Sequence, residues 1–144
     1  MGPANSSKLS NIPHYDGYTY HDPKFTWQEP IGAAAVSFIN SPLFKEYQNS
    51  VLVGGFHNGI IYELKLNKDR TGFVFGEPSL ADLVLNKNDN KSTIIFGTGF
   101  GGITDIKEGT DGLIYVISFS EGTIYRIVPK NMASVQGLEK KLLK

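Results

Sequence analysis

The chain has 144 residues, 40% of them hydrophobic and 19% charged, a composition and length suited to one folded domain. Its 14 basic residues balance 14 acidic ones, which excludes the surplus of Lys and Arg that a nucleic-acid footprint requires. There is no cysteine, so disulfides, thiolate nucleophiles and cysteine-bound metal are excluded, and no apolar run reaches the roughly 18 residues of a membrane-spanning helix.

Residues 1–19 are polar and read as a leader without the apolar region of a signal peptide. Lys24–Trp27 is a strand candidate that belongs to neither of the repeated units downstream of it. From Ala33 onward, short β-branched and aromatic runs alternate with Gly, Asn and Asp turns, the pattern of an all-β protein. The strongest signal is an internal repeat. Phe56-His57-Asn58-Gly59-Ile60-Ile61-Tyr62-Glu63-Leu64 matches Phe119-Ser120-Glu121-Gly122-Thr123-Ile124-Tyr125-Arg126-Ile127, with Phe, Gly, Ile and Tyr at the same offsets. Each copy is preceded by an apolar run and reads as strand, tight turn, strand. Asn58-Gly59 fits a two-residue hairpin turn of type I′.

A repeated three- to four-stranded antiparallel unit is the signature of a propeller blade. Blade one reads as Ala33–Ile39, Ser50–Phe56, Gly59–Leu66 and Ser92–Gly97, so about residues 33–97. Blade two, about residues 103–128, reads as Ile103–Glu108, Leu113–Phe119 and Gly122–Val128, with no obvious fourth strand. Lys24–Trp27 is a candidate for that missing outer strand, in this chain or in another. The fold class expected is thus an incomplete β-propeller of about two four-stranded antiparallel blades, the alternative being a β-sandwich. Asn67 to Lys91 forms a connection too long for a tight turn. In the tail, residues 131–144, Leu138, Leu142 and Leu143 would share one face of a short helix.

Little in this pattern is catalytic by itself. Phe96-Gly97-Thr98-Gly99-Phe100-Gly101-Gly102 is rich in glycine, but it runs into a strand rather than a helix N-terminus, which favours an inter-blade crossover over a phosphate loop. His14, His21 and His57 lack metal-ligand spacing. Asp105, Glu108 and Asp111 have no spacing that marks a catalytic carboxylate pair, and Asp111-Gly112 suits a turn. Trp27, the only tryptophan, fits either core packing or the wall of a sugar or cofactor cleft.

In order, Tyr20-His21-Asp22-Pro23-Lys24-Phe25-Thr26-Trp27-Gln28-Glu29-Pro30, Val51-Leu52-Val53-Gly54, Phe56 through Tyr62, Phe96 through Ile106 and Gly122-Thr123-Ile124-Tyr125-Arg126-Ile127-Val128-Pro129 resemble the C-terminal part of the glucose/sorbosone dehydrogenase family, over about residues 20–130. The resemblance implies a six-bladed propeller that holds pyrroloquinoline quinone (PQQ) and calcium in a central cleft. It also implies oxidation of aldose sugars by hydride transfer to the quinone, in an extracellular or periplasmic setting. By the same resemblance Trp27, His57, Thr104 and Asp105 fall at cleft positions. The family's quinone-contacting lysine falls at His57, and the two arginines of its Arg-x-Arg-Asp pattern fall at Gly102 and Thr104, leaving Asp105. The family's catalytic histidine and calcium ligands belong to earlier blades. The chain is therefore expected to be a segment without turnover of its own. The alternative is a non-enzymatic binding or assembly module. Because stacked blades expose apolar faces at open ends, the expected partners are further copies, for instance a trimer of two-blade units, or the missing blades, with a sugar as possible ligand and no nucleic acid or membrane.

Overall fold

The computed structural model describes residues 15–130 and 132. Most of the 1–19 leader and the expected helix from Ser134 to Lys144 lie outside them. Among the described residues, nine strands make two antiparallel sheets and one small parallel pair. Sheet one has the order β2 (Ala33–Phe38), β3 (Ser50–Gly55), β4 (Ile61–Lys65), β6 (Ile95–Gly97). Sheet two has the order β7 (Ile103–Glu108), β8 (Ile114–Ser118), β9 (Thr123–Ile127). The sheets are not closed on each other. They are two consecutive blades of an incomplete propeller, one with four strands and one with three.

Alternation within the strands explains the stacking. In β3, Val51 and Val53 point to one face, and Leu52 and Gly54 to the other. The second face, with Ala35 and Ile61, packs on Ile103, Ile106, Ile114 and Val116 of sheet two. Leu52, Ile61, Ile103, Ile106 and Val116 are almost completely buried in this seam, and each such side chain contributes about 1.5–3 kcal/mol. A strand covered on both faces reads as a continuous apolar run, which is the pattern of β3. At one end of the seam, Glu108 Oε2 accepts from the backbone N–H groups of Asn40 and Ser41, both at 2.9 Å.

The other face of blade one is capped. Val51, Val53, Tyr62 and Leu64 are covered by Phe25, Ile31, Leu80 and Leu85, with Trp27, Phe73 and Phe75 alongside. The cap is built from two distant pieces of chain. β1 (Thr26–Trp27) pairs in parallel with β5 (Val84–Leu85). The long connection between β4 and β6 is therefore a lid on the sheet, and Leu80 within it has no exposure. Its tip is solvated, and there Asp89 Oδ2 accepts from the Asn86 backbone N–H at 2.7 Å. The 24–27 segment, expected as a candidate outer strand for blade two, lies instead in this cap, because the buried Phe25 and half-buried Trp27 pack on blade one.

Both repeat hairpins turn through loops longer than two residues. Gly55 N–H donates to Ile60 O at 2.9 Å, and within this loop Gly59 alone takes positive φ (61°). Asn58 does not, so the expected type I′ turn is absent. The second hairpin uses Gly122 (φ 58°) in the same way.

Candidate cofactor and sugar cleft

The repeat places matched side chains at the two hairpin tips. Asn58 Nδ2 donates to Tyr62 Oη at 2.9 Å, and Tyr125 Oη donates to the Glu121 carboxylate at the same offsets of the second copy. In each case the second residue after the repeat Phe is tied to the repeat Tyr. The tip of the first hairpin abuts the glycine-rich crossover. Phe100 N–H donates to Gly59 O at 3.1 Å. A Cβ at Gly59 would lie 2.8 Å from Gly101 O, so only glycine fits this approach of two backbones. Ser120 Oγ accepts from the Gly102 N–H at 2.6 Å and fastens the crossover to the second hairpin.

His57 sits at this junction. Its ring lies over Gly32, within 3.2 Å of where a Cβ would be, and its Nδ1 is 3.3 Å from Pro30 O. Trp27 lies on the capped face of blade one, 5.5 Å from the Tyr62 ring and 4.9 Å from Phe25, in edge-on contacts. Its Nε1 is buried and has no hydrogen-bond partner among the described residues. Trp27, Asn58 and Tyr62, with Glu29, Lys87 and Lys91, line a cleft of about 220 Å³. Burial pushes the Tyr62 hydroxyl above its ordinary pKa, and the bond from Asn58 partly offsets this.

Thr104 and Asp105 lie on β7 of blade two. A bulge between Ile103 and Asp105 leaves Thr104 without a partner across the strand pair and sets Asp105 opposite Ile117. Ile103 and Ile106 enter the seam, so Thr104 and Asp105 are directed away from it. Asp105 Oδ1 accepts from the Ile106 N–H at 2.9 Å and lies 3.8 Å from Lys107 Nζ. Thr104 Oγ1 lies 3.5 Å from Ile117 O. The structure thus brings Trp27 together with Asn58 and Tyr62, and His57 against Pro30 and Gly32, while Thr104 and Asp105 stand on blade two. A larger groove of about 880 Å³ runs between the 42–47 turn and residues 127–130 and 132, and none of these four residues lines it.

The residues present do not fit a quinone that carries several carboxylates. Such a ligand calls for bidentate guanidinium or ammonium contacts. Position 57 offers an imidazole, 104 a hydroxyl and 102 no side chain at all. A Cβ at Gly102 would already lie 3.0 Å from Cε2 of Phe56, so that ring fills the space a longer side chain would use. Among the described residues, no group of three or more His, Asp or Glu side chains is arranged to hold a metal ion.

The Asn58–Tyr62 and Glu121–Tyr125 pairs escape a reading of motifs because their signal is only a shared offset inside the repeat. Comparison with known proteins gives one family. The model of the Glucose / Sorbosone dehydrogenase family matches residues 5–126. No curated protein and no solved structure matches the chain.

Proposed function

Since the chain belongs to the glucose/sorbosone dehydrogenase family, we propose that it is a two-blade wall of a sugar-oxidoreductase propeller that performs no turnover by itself. The observation that carries this reading is the missing cationic set at positions 57, 102 and 104, with Phe56 packed where a side chain at 102 would project. In this family the quinone supplies the hydride acceptor, and the protein's part is to position and polarise it. This chain's own residues suit a narrower task. Half-buried Trp27 lines the cleft edge-on to the buried Tyr62 ring, and Asn58 holds the Tyr62 hydroxyl in a fixed direction. Such a wall orients a sugar or packs on a neighbour without moving a proton.

The test is titration of the purified chain with PQQ and calcium, with dye-linked oxidation of aldoses as the second readout. The expected result is no shift in quinone absorbance and no dye reduction. Saturable quinone binding with sugar-dependent dye reduction would refute the proposal. A second reading, an assembly module, is favoured by the exposed apolar side chains Ile117, Phe119 and Ile124 on blade two.

A further inference from the structure

The two copies of the repeat tie their tyrosines in opposite senses. In blade two, Tyr125 Oη donates to the Glu121 carboxylate, so its proton has an acceptor within the chain. In blade one the same offset holds Asn58, and there Asn58 Nδ2 donates to Tyr62 Oη at 2.9 Å. Turning the amide over cannot reverse this bond, because Asn58 Oδ1 accepts from the Ile60 N–H at 3.2 Å. Tyr62 is therefore the acceptor of its pair, and its phenolic proton is left to donate elsewhere. Among the described residues no acceptor for that proton is present.

A buried tyrosine hydroxyl ordinarily finds its partners, and one left short costs about 1–3 kcal/mol. Tyr62 is 2% exposed. Its hydroxyl still lies at an open edge, because it bonds to the exposed Asn58 and both residues line the cleft of about 220 Å³. Trp27, Ile60 and Leu85 give this cleft an apolar wall. Two ammonium groups, on Lys87 and Lys91, line it against one carboxylate, Glu29. Glu29 Oε1 lies 3.9 Å from Lys87 Nζ, while Lys91 has no ion-pair partner among the described residues. The cleft thus holds one cation in excess beside a hydroxyl set to donate. An ionised acceptor answers both, through a bond about twice as strong as a neutral one.

We propose that the cleft is a carboxylate subsite for a sugar acid, in which Tyr62 Oη donates to a carboxylate oxygen and Lys91 pairs with its charge. The sugar body rests on the reading of this face as a sugar-facing wall, whereas the carboxylate stands on the Tyr62 hydrogen bonds alone. No proton is transferred. Burial raises the Tyr62 pKa, which keeps the donor protonated at neutral pH.

The test reads Trp27, the only tryptophan and part of the cleft wall, by fluorescence during titration with glucuronate, acetate, glucose and PQQ. Glucuronate should change the emission saturably, acetate should compete with it more weakly, and glucose should give no response. Tyr62→Phe keeps the ring and removes the donor, and raises the half-saturating concentration about tenfold or more. Lys91→Ala, at an exposed position, weakens binding and flattens its salt dependence with unchanged circular dichroism. Asn58→Asp tests the same point without touching the buried ring. It places at this offset an acceptor of the kind blade two has, so binding falls and the Tyr62 absorbance titrates at higher pH, a shift that lost packing would not produce. No response to glucuronate, an equal response to glucose, or a response that survives Tyr62→Phe overturns the subsite and leaves the absence of turnover untouched. Acetate binding as tightly as glucuronate overturns the sugar acid as the ligand. A PQQ response abolished by Tyr62→Phe supports the carboxylate subsite and overturns instead the reading of the chain as a wall that holds no quinone.

Discussion

Gly54→Ala tests the seam between the blades. The strand backbone at Gly54 is not in the left-handed region, so alanine meets no conformational obstacle. The new Cβ would lie 2.5 Å from Ile103 Cγ2 and 3.1 Å from Ala35 Cβ. Carbon atoms in contact sit at about 3.5–4.0 Å, so relief needs a displacement of roughly 1 Å. Ile103 is fully buried and has nowhere to move without shifting sheet two. Overpacking of this kind costs about 1–3 kcal/mol. Against it stands about 0.4–1 kcal/mol from the stiffer unfolded chain. The clash wins, with a net loss of about 1–2 kcal/mol by urea denaturation and no change in m-value. Ile103→Ala alone costs about 2–5 kcal/mol, but it removes the atom that clashes. In that background Gly54→Ala is neutral or stabilising, a coupling of about 1–2 kcal/mol. If Gly54→Ala costs the same in both backgrounds, or stabilises the wild-type chain, the close approach of β3 and β7 does not exist.

Glu108→Ala leaves the Asn40 and Ser41 amides without their shared carboxylate and lowers stability by about 1–2 kcal/mol, read as a lower melting temperature. Tyr62, Tyr115 and Tyr125 all have raised pKa values, the first through burial and the others chiefly through bonds to Asp111 and Glu121. Their contribution is fully present below about pH 10, the unfolded value, and is lost as pH rises through the folded values. Absorbance at alkaline pH should show part of the tyrosine signal titrating late, with unfolding close behind it. Asp111 titrates below the ordinary carboxylate value, first because it accepts from the Leu113 amide, so its contribution is lost only as pH falls through that lowered value. Tyr115→Phe should move the Asp111 carboxyl back toward the ordinary range in an NMR titration. His57→Lys combined with Thr104→Arg supplies cations at two of these positions, and a quinone absorbance shift that the unsubstituted chain lacks should become measurable. An unchanged affinity would show that these positions do not face a common cleft.

The blades were legible because their signals are local. The repeat at Phe56 and Phe119, the glycines at the hairpin tips and the apolar run of β3 each lie within a few residues of the partners that explain them. The cap was not legible. β1 and β5 are two residues each and pair in parallel across a long stretch of chain, so neither shows a period. The turn chemistry misled for a similar reason. Asn58-Gly59 carries the composition of a tight turn, but the Asn58 side chain is committed to Tyr62 Oη and to the Ile60 N–H, which favours the longer loop. At the candidate site, family resemblance put Trp27 at a cleft position, and the structure packs it on Phe25 and Tyr62. It could not tell that the bulge of β7 turns Thr104 and Asp105 away from the seam, because a bulge has no signature in residue type alone.

The lid over blade one gives the molecule a direction. Among the described residues one side of the row is finished by the β1–β5 cap and the other, past β9, is uncovered, so the row of sheets is more readily lengthened past β9. A fusion partner or an added blade should therefore be grafted after Val128. Grafted before Thr26, it would have to displace a hem the chain has already sewn.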